Sequence, residues 1–256
     1  MRRLGNIFKK DGKSVIVAMD HGLGLNVLPG MQDTEKILND VTQAGADAVL
    51  CGYGMARRFE TALKGTGLIL RVDGANSSLS DFPTGNKFLD YKAALREGAD
   101  CLACMGFPGA VNEIDTLKAI SEMSSDAHSW GMPVLSEMLP GGFGAEPPKT
   151  VETVGLAARI GAELGADIIK TSFVGTVPEF RSIVEGCFRP VVVLGGAQVK
   201  NLQDLFIVIE KSMEAGASGV AIGRNVWTHP EPGAVTAGLV EIVHGGKTAS
   251  EAEKVL

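Results

Sequence analysis

The stretch that decides the fold is GADIIK at residues 165–170. A helical pattern ends at Gly165, and the apolar run after it has the length and composition of a buried strand. The phrase recurs as GAD at 45–47 and 98–100 and as GAS at 216–218, each time ahead of a short apolar run. The four copies begin 53, 67 and 51 residues apart, which leaves room for two strand–helix units between neighbours. The spacing therefore predicts eight strands.

The intervening strands are predicted at residues 14–19, 67–72, 133–138 and 190–194. Helical patterns lie between strands, for example at 34–44, 112–130, 150–164 and 202–215. Strict alternation of strand and helix favours a (β/α)8 TIM barrel, with a doubly wound sheet as the alternative. No linker or low-complexity segment interrupts residues 1–256, which predicts a single domain. Two long loops, 73–88 and 139–149, follow the third and fifth strands, on the side where barrel active sites form.

Charge and hydropathy exclude several classes of partner. The formal net charge of −6 argues against binding of nucleic acid. No apolar run approaches the ~20 residues that span a bilayer, and the charged start of the chain lacks the apolar run of a secretory signal. We therefore expect a cytoplasmic protein without a membrane or nucleic-acid partner.

The pair Cys101 and Cys104 has the C-x-x-C form of a redox or half-zinc motif. It lies in an apolar strand, where residues i and i+3 point to opposite faces. No second cysteine pair or histidine cluster completes a metal site, so we interpret both as core residues and predict no metal and no disulfide.

Lys170 ends the predicted sixth strand and is the main catalytic candidate. Burial penalises an ammonium and lowers the lysine pKa from about 10.4 toward ~7–8, where the free amine can attack a carbonyl. The alternative is a lysine that reaches out of the barrel mouth and pairs with a carboxylate.

Four further polar residues stand at strand ends: Asp20, His21, Arg71 and Glu137. Asp20 could hold the lysine and shuttle protons, or serve only as a helix cap or loop turn. His21 could be a general base or a hydrogen-bonded scaffold group. Glu137 could transfer protons, or form a salt bridge to Lys170 or Arg71 without a chemical role.

Glycine-rich loops follow the seventh and eighth strands and contain Gly195, Gly196, Gly223 and Arg224. Loops at these two positions form the phosphate site of many barrels, where backbone N–H groups face the anion. Arg224 can add a forked, charged donor. Glycines in tight turns are the alternative, but the pair of loops predicts a phosphorylated substrate.

The chain resembles the DeoC/FbaB class I aldolases in AMDHG at 18–22, IKT at 169–171, GG at 195–196 and GVAIGRNVW at 219–227. This group includes archaeal-type fructose-bisphosphate aldolases, the autoinducer-2 phosphate thiolase and aminodideoxyheptulosonate synthases. The resemblance implies that Lys170 forms a Schiff base, that Asp20 is the active-site acid, and that Gly196, Gly223 and Arg224 hold the phosphate. Arg71, a candidate substrate-binding residue, begins the stretch RVDGANS, which is closer to the thiolase branch.

One departure from the resemblance concerns the loop after the fifth strand. The fructose-bisphosphate aldolases carry Tyr-Pro-Arg-Gly there, with tyrosine as the proton donor, whereas this chain has LPGG at 139–142. Leu139 cannot transfer a proton, and the arginine for a second phosphate is also missing. Glu137 is the candidate to take over acid–base duty.

These features predict a class I aldolase that makes or cleaves a carbon–carbon bond in a phosphorylated ketose, with dihydroxyacetone phosphate as donor or product and no cofactor. The alternatives are acyl transfer to coenzyme A, as in the thiolase branch, and a phosphosugar-binding barrel without catalysis. The resemblance implies a homo-oligomer, often a decamer. Residues 248–256 predict a terminal helix.

Overall fold

The structure, a computed structural model, describes residues 1–23, 30–74, 86–87, 89–144 and 146–255. Eight parallel strands close into a barrel in the order β1-β8-β7-β6-β5-β4-β3-β2, which confirms the predicted fold. The strands are β1 (Ser14–Ala18), β2 (Ala48–Cys51), β3 (Gly67–Arg71), β4 (Cys101–Gly106), β5 (Val134–Met138), β6 (Ile168–Thr171), β7 (Val191–Leu194) and β8 (Gly219–Ile222).

Helices surround the barrel and follow its strands. They are α1 (Thr34–Gln43), α2 (Tyr53–Arg58), α3 (Tyr91–Arg96), α4 (Glu113–His128), α5 (Val151–Glu163), α6 (Val177–Cys187), α7 (Leu202–Glu214), α8 (Arg224–Trp227), α9 (Pro232–Val243) and α10 (Ala249–Ala252). The four helices predicted individually are α1, α4, α5 and α7, and the terminal helix is α10 with a 3₁₀ turn at Glu253–Val255. None of the helices in the described ranges is long and apolar enough to cross a membrane.

The predicted loop at 73–88 begins with a short antiparallel pairing of Asp73–Gly74 with Asn86–Lys87. Residues 75–85 and 88 of that loop lie outside the described residues. The loop at 139–149 is described except for residue 145.

The repeated Gly-Ala-Asp phrase has a physical explanation. Its glycines end helices at positive φ, a conformation that suits a residue without a Cβ. Each aspartate then exchanges two hydrogen bonds with the first or second residue of the preceding strand: its backbone N–H donates to the carbonyl, and its carboxylate accepts the N–H. We call this pair an aspartate latch. The three latches join Asp47 to Val15, Asp100 to Leu68 and Asp167 to Val134, with carboxylate distances of 2.6, 3.0 and 2.9 Å.

The core has two layers, one inside the barrel and one between barrel and helices. The interior layer is apolar up to the last residues of the strands and includes Ile16, Ile69, Leu135 and Ile168. Ile7 packs into its N-terminal end, after the 3₁₀ helix Arg2–Asn6. Apolar side chains therefore fill the N-terminal part of the barrel interior, which leaves the C-terminal mouth as the place for a site.

The two cysteines of the C-x-x-C pair lie in different layers, as predicted for opposite faces of one strand. Cys101 belongs to the interior layer, whereas Cys104 packs between barrel and helices. Both thiols are free and fully buried. Burial raises the pKa of Cys104 to about 12, so this thiol is inert.

Candidate active site

Strand alternation places charged side chains at the mouth of the barrel. Lys170 lies two residues beyond Ile168, and Glu137 and Arg71 lie two residues beyond Leu135 and Ile69. Residues two apart on a strand share a face, so all three continue the interior layer. The apolar interior thus ends in a charged layer at the C-terminal face.

Lys170 is buried, with 5% of its surface exposed. Its Nζ lies 3.0 Å from Oε1 of Glu137, which is its register partner on the neighbouring strand. The sequence left open a desolvated lysine and a lysine that reaches out of the barrel mouth to pair with a carboxylate. In the structure the amine is out of bulk solvent, and it is bound to a carboxylate inside the mouth.

Arg71 lies at the centre of the charged layer and is 4% exposed. Its Nε donates to Oδ2 of Asp20 at 2.7 Å, its Nη2 donates to Oε2 of Glu137, and its Nη1 lies 3.4 Å from Oδ1 of Asp73. All three guanidinium nitrogens are therefore engaged by carboxylates. Arg71 organises the site, and Glu137 bridges it to Lys170.

Asp20 follows β1, and its side chain belongs to the charged layer. Burial by itself would raise the pKa of this carboxyl, but the charges of Arg71 and Lys170 outweigh it and the pKa is lowered. The same balance lowers the pKa of Glu137, where Lys170 and Arg71 oppose burial. Both groups are carboxylates at neutral pH.

His21 begins a short 3₁₀ helix, His21–Leu23, beside the charged layer. Burial lowers the pKa of its imidazole, which is therefore neutral at pH 7. Its Nδ1 lies 3.8 Å from Oδ1 of Asp20 and has no hydrogen-bond partner among the described residues. The ring packs edge-on against Trp227 at a centroid distance of 5.2 Å.

Asp73 is a site residue that sequence reasoning missed. It lies two residues beyond Arg71, and its Oδ2 accepts the backbone N–H of Met105 at 2.6 Å. Burial raises its pKa to about 6, because desolvation outweighs the attraction of Arg71. The signal was available, since Asp73 continues the alternation of β3.

The two glycine-rich loops contact each other. Arg224 Nη2 donates to the carbonyl of Gly196 at 2.9 Å and ties the loops together, while its Nε is buried without a partner in the described part of the chain. Gly196 has a φ of 65°. A Cβ at Gly223 would overlap the imidazole of His21, and a Cβ at Gly195 would lie 3.0 Å from Ile222. Gly195 and Gly223 therefore do more than turn the chain, because a side chain at either position would press on its neighbours.

Asn225 is a second residue whose role the sequence did not reveal. It is buried, and its Nδ2 donates to the carbonyls of Gly195 and Ala197 at 3.0 and 3.1 Å. Its Oδ1 accepts the N–H of Val199 at 2.8 Å. Asn225 therefore fixes the shape of the loop after β7 from the loop after β8.

Two cavities meet at Lys170. The wider one, about 450 Å³, extends along the glycine-rich loops and is also lined by Arg224, Ser172 and Lys149. The narrower one, about 70 Å³, is lined by Asp20, Arg71, Asp73 and Met105. His21, Glu137, Phe143 and Lys170 line both. A substrate could thus reach Lys170 with one end in each cavity.

The loop after β5 presents an apolar side chain and a glycine at the positions where the resemblance would place tyrosine and arginine. Leu139 is buried against Met105 and Phe107 and lines the wider cavity with an apolar side chain. Gly141 has a φ of 67°, and a Cβ there would overlap the carbonyl oxygen of Glu146. An arginine would not fit at this position in the observed loop.

A protein-family model described as DeoC/LacD family aldolase matches residues 14–229. A 2-amino-3,7-dideoxy-D-threo-hept-6-ulosonate synthase of Halobacterium salinarum is 32% identical over 239 residues, which cover 93% of this chain and 89% of the relative. A class 1 fructose-bisphosphate aldolase of Thermoproteus tenax is 31% identical over 251 residues, 96% of this chain and 95% of the relative.

Solved structures give the same picture. An archaeal fructose 1,6-bisphosphate aldolase superposes with a TM-score of 0.87 at 30% identity, covering 96% of this chain and 99% of that one. An archaeal fructose-1,6-bisphosphate aldolase with its catalytic lysine covalently bound to the carbinolamine intermediate of the substrate also has a TM-score of 0.87 at 30% identity, covering 95% and 99%.

Proposed function

The chain belongs to the DeoC/LacD family of aldolases and is itself an aldolase, and we propose that it works through an imine between Lys170 and a phosphorylated ketose. Dihydroxyacetone phosphate is the donor in synthesis and the product in cleavage. The observation that carries the proposal is the position of Lys170: buried at the end of β6, where a cavity lined by glycine-rich loops and Arg224 begins.

The lysine must lose a proton before it attacks. Glu137 lies 3.0 Å from its Nζ and is the group placed to accept that proton. The free amine adds to the ketone, Glu137 returns the proton to the hydroxyl that leaves as water, and a protonated imine remains. That cation withdraws electrons from the adjacent carbon and stabilises the enamine left when the carbon–carbon bond breaks.

Proton transfer during bond cleavage also falls to Glu137. The hydroxyl of the departing half must give up its proton as it becomes an aldehyde, and the enamine carbon must then gain one. The Glu137 carboxylate, which is paired with Lys170, can do both in turn. It would then take the role of the tyrosine proton donor that the resemblance implies, since this chain has Leu139 at that position. Asp20, bound to Arg71 and 3.8 Å from Nδ1 of His21, holds the charged layer in place and stabilises the cationic imine.

The phosphate lies against Gly195, Gly196, Gly223 and Arg224 in this proposal. The buried Nε of Arg224 has no partner in the described ranges and can donate to a phosphate oxygen without breaking an existing bond. Phosphate binding there orients the ketone toward Lys170, remote from the bond that changes.

The two alternatives carry less support. The relatives reported above are named as aldolases or as a heptulosonate synthase, and none of these names describes acyl transfer to coenzyme A. A non-catalytic barrel would have no need for a lysine, an arginine and three carboxylates buried together at its mouth, because burying charges is costly.

Borohydride trapping tests the imine directly. With dihydroxyacetone phosphate, the wild type is expected to gain one reduced adduct on Lys170, located by peptide mass spectrometry. Lys170→Ala should give no adduct, and its turnover should fall by roughly 10⁴-fold or more. Lys149→Ala is the matched control, since it removes an exposed lysine of the same cavity, and it should still be trapped. An adduct on any other lysine would refute the assignment.

We also propose that residues 1–256 form one domain, that the protein works in the cytoplasm, and that it is a homo-oligomer. The single domain is supported by α9, which follows the last strand and packs on β1. The decamer rests on the family resemblance alone, and light scattering coupled to size-exclusion chromatography tests it.

A further inference from the structure

Building on the imine chemistry above, we propose that the aldehyde half of the substrate is an uncharged hydroxyaldehyde. The ketose then carries one phosphate, on the dihydroxyacetone end, and not two. The narrow cavity beside Lys170 is the acceptor site, and its charge selects against an anion.

The two cavities assign the two halves of the substrate. The ketone carbon must lie at Lys170, which lines both cavities. The phosphate-bearing end extends into the wider cavity, where Arg224 and the glycine-rich loops lie. The remaining carbons and hydroxyls of the sugar then point toward Asp20, Arg71 and Asp73.

Charge in the narrow cavity is unfavourable for a phosphate. Three carboxylates (Asp20, Asp73 and Glu137) face two cations (Arg71 and Lys170), so the group carries a formal charge of −1 when all five are ionised. Every nitrogen of the Arg71 guanidinium already contacts a carboxylate, and Lys170 keeps its positive charge as an iminium but is bound to the substrate carbon. No other lysine or arginine among the described residues lines this cavity.

Hydroxyl groups suit the same surroundings. Carboxylate oxygens accept hydrogen bonds from hydroxyls, and Nδ1 of His21 is buried without a partner in the described ranges. A hydroxyl of the substrate that bonded to Nδ1 would satisfy it, and an unpaired buried nitrogen disfavours a ligand that lacks such a group.

Size and loop geometry point the same way. The narrow cavity measures about 70 Å³ among the described residues, against about 450 Å³ for the wider one. The loop after β5 supplies no cation near the site, because Leu139 is apolar and Gly141 leaves no space for a side chain. Lys149, the cation in the 139–149 loop, is exposed and lines the wider cavity.

Condensation assays test the acceptor. Dihydroxyacetone phosphate is offered with glycolaldehyde, lactaldehyde or glyceraldehyde, and separately with glyceraldehyde 3-phosphate. A carbon–carbon bond forms between the enamine carbon and the aldehyde carbon, and the aldehyde oxygen takes a proton. We expect kcat/KM for at least one uncharged aldehyde to exceed that for the phosphorylated one by 10-fold or more, and the gap to narrow at high salt because charge repulsion is screened.

Variants locate the source of the selection. Asp73→Asn removes one negative charge from the narrow cavity and should reduce the preference several-fold, by raising kcat/KM for glyceraldehyde 3-phosphate relative to glyceraldehyde. Asp100→Asn makes the same change at the other end of the barrel and should leave the ratio unaltered. An unchanged ratio in Asp73→Asn would mean that the charge of this cavity does not select the acceptor.

Trapping with dihydroxyacetone phosphate distinguishes failure of the imine chemistry from failure of the acceptor assignment. If Lys170 is trapped but glyceraldehyde 3-phosphate is the better acceptor, or no uncharged hydroxyaldehyde reacts, the acceptor assignment is wrong and the imine chemistry stands. If a phosphorylated acceptor is preferred and Lys149→Ala abolishes that preference, Lys149 holds a second phosphate. Failure to trap Lys170 at all would overturn both proposals.

Discussion

The two ends of the barrel both contain buried or half-buried carboxylates, and they use them in opposite ways. At the N-terminal end, Asp47, Asp100 and Asp167 each accept the backbone N–H of a neighbouring strand. At the C-terminal mouth, Asp20, Asp73 and Glu137 surround Arg71 and Lys170. The first set satisfies backbone groups that exist in any barrel, whereas the second set pairs mainly with the charges of its own cluster, and only Asp73 among the three also accepts a described backbone N–H, that of Met105.

The difference teaches how stability and reactivity are separated in this fold. Hydrogen bonds at the N-terminal end fix the sheet, so charge there is spread over backbone donors. At the mouth, charges are concentrated and mutually dependent, because each cation is shared with carboxylates that would keep a net excess of buried negative charge if it were removed. We therefore expect substitutions at the mouth to affect stability and catalysis together, and substitutions at the other end to affect stability alone.

The largest effect is expected for Arg71→Met. Three buried carboxylates would lose their shared cation, so the free energy of unfolding should fall by about 3–5 kcal/mol. Displacement of Glu137 from Lys170 should lower kcat/KM by roughly 100-fold. Urea denaturation and steady-state kinetics measure the two effects.

Acidification provides the internal check on that variant. Protonation removes the charge of the unpaired carboxylates, so the stability deficit of Arg71→Met should shrink as pH falls toward 5. Arg71→Lys keeps the positive charge but loses the planar guanidinium that contacts three carboxylates at once. Its losses of stability and of kcat/KM should therefore lie between those of the wild type and Arg71→Met. A deficit in Arg71→Met that did not depend on pH would contradict an electrostatic origin.

A smaller and pH-dependent effect is expected for Asp73→Asn. The pKa of Asp73 is raised to about 6 from an ordinary value of 3.8, so its contribution to stability is present below pH 3.8 and is lost as pH rises through about 6. Asparagine does not ionise. Relative to the wild type, the variant should therefore gain roughly 2 kcal/mol in free energy of unfolding between pH 4 and pH 7.

Urea unfolding of both proteins at pH 4, 5, 6 and 7 measures the difference between their free energies of unfolding. Taking the difference cancels the titration of all groups that the two proteins share. A flat difference across the range would show that Asp73 titrates at its ordinary pKa. A difference that moved in the opposite direction would place Asp73 with Asp20 and Glu137, whose pKa values are lowered.

The smallest effect is expected for Asp100→Ala at the N-terminal end. The N–H of Leu68 would lose its carboxylate acceptor, and Asn6 would lose a hydrogen bond of 2.7 Å. The free energy of unfolding should fall by about 1 kcal/mol, while kcat/KM should stay within about twofold, since β4 separates the change from the site by roughly 15 Å. Asp100→Asn keeps an acceptor oxygen and should lose less stability. A large fall in kcat/KM would remove the distinction between the two ends.

Local patterns in the sequence predicted the fold well because each strand is short and apolar and every second strand is preceded by the same turn chemistry. Lys170, Glu137 and Arg71 could be placed at the mouth for the same reason, since they occupy the final positions of strands. Asp73 was missed because it lies beyond the apolar part of β3, in what the sequence indicated only as a loop.

The sequence named candidate partners for these residues but could not decide between them. Arg71 contacts Asp20 and Glu137, which are 51 and 66 positions away in the chain, and only closure of the barrel brings them together. The sequence offered Asp20 and Glu137 as alternative partners of the lysine, and the described contacts place Glu137 there. Which of two carboxylates reaches a given amine depends on strand register, and no local pattern encodes it.

The aspartate latches also determine where the chain can be divided. Each latch joins an odd-numbered strand to the next even-numbered one, β1 to β2, β3 to β4 and β5 to β6, and none connects β2 to β3 or β4 to β5. A recombination junction between Phe59 and Gly67 would thus leave every latch within one parent, whereas a junction inside α1 would split Val15 from Asp47. Chimeras of related barrels should accordingly be built from quarter-barrel units of two strands.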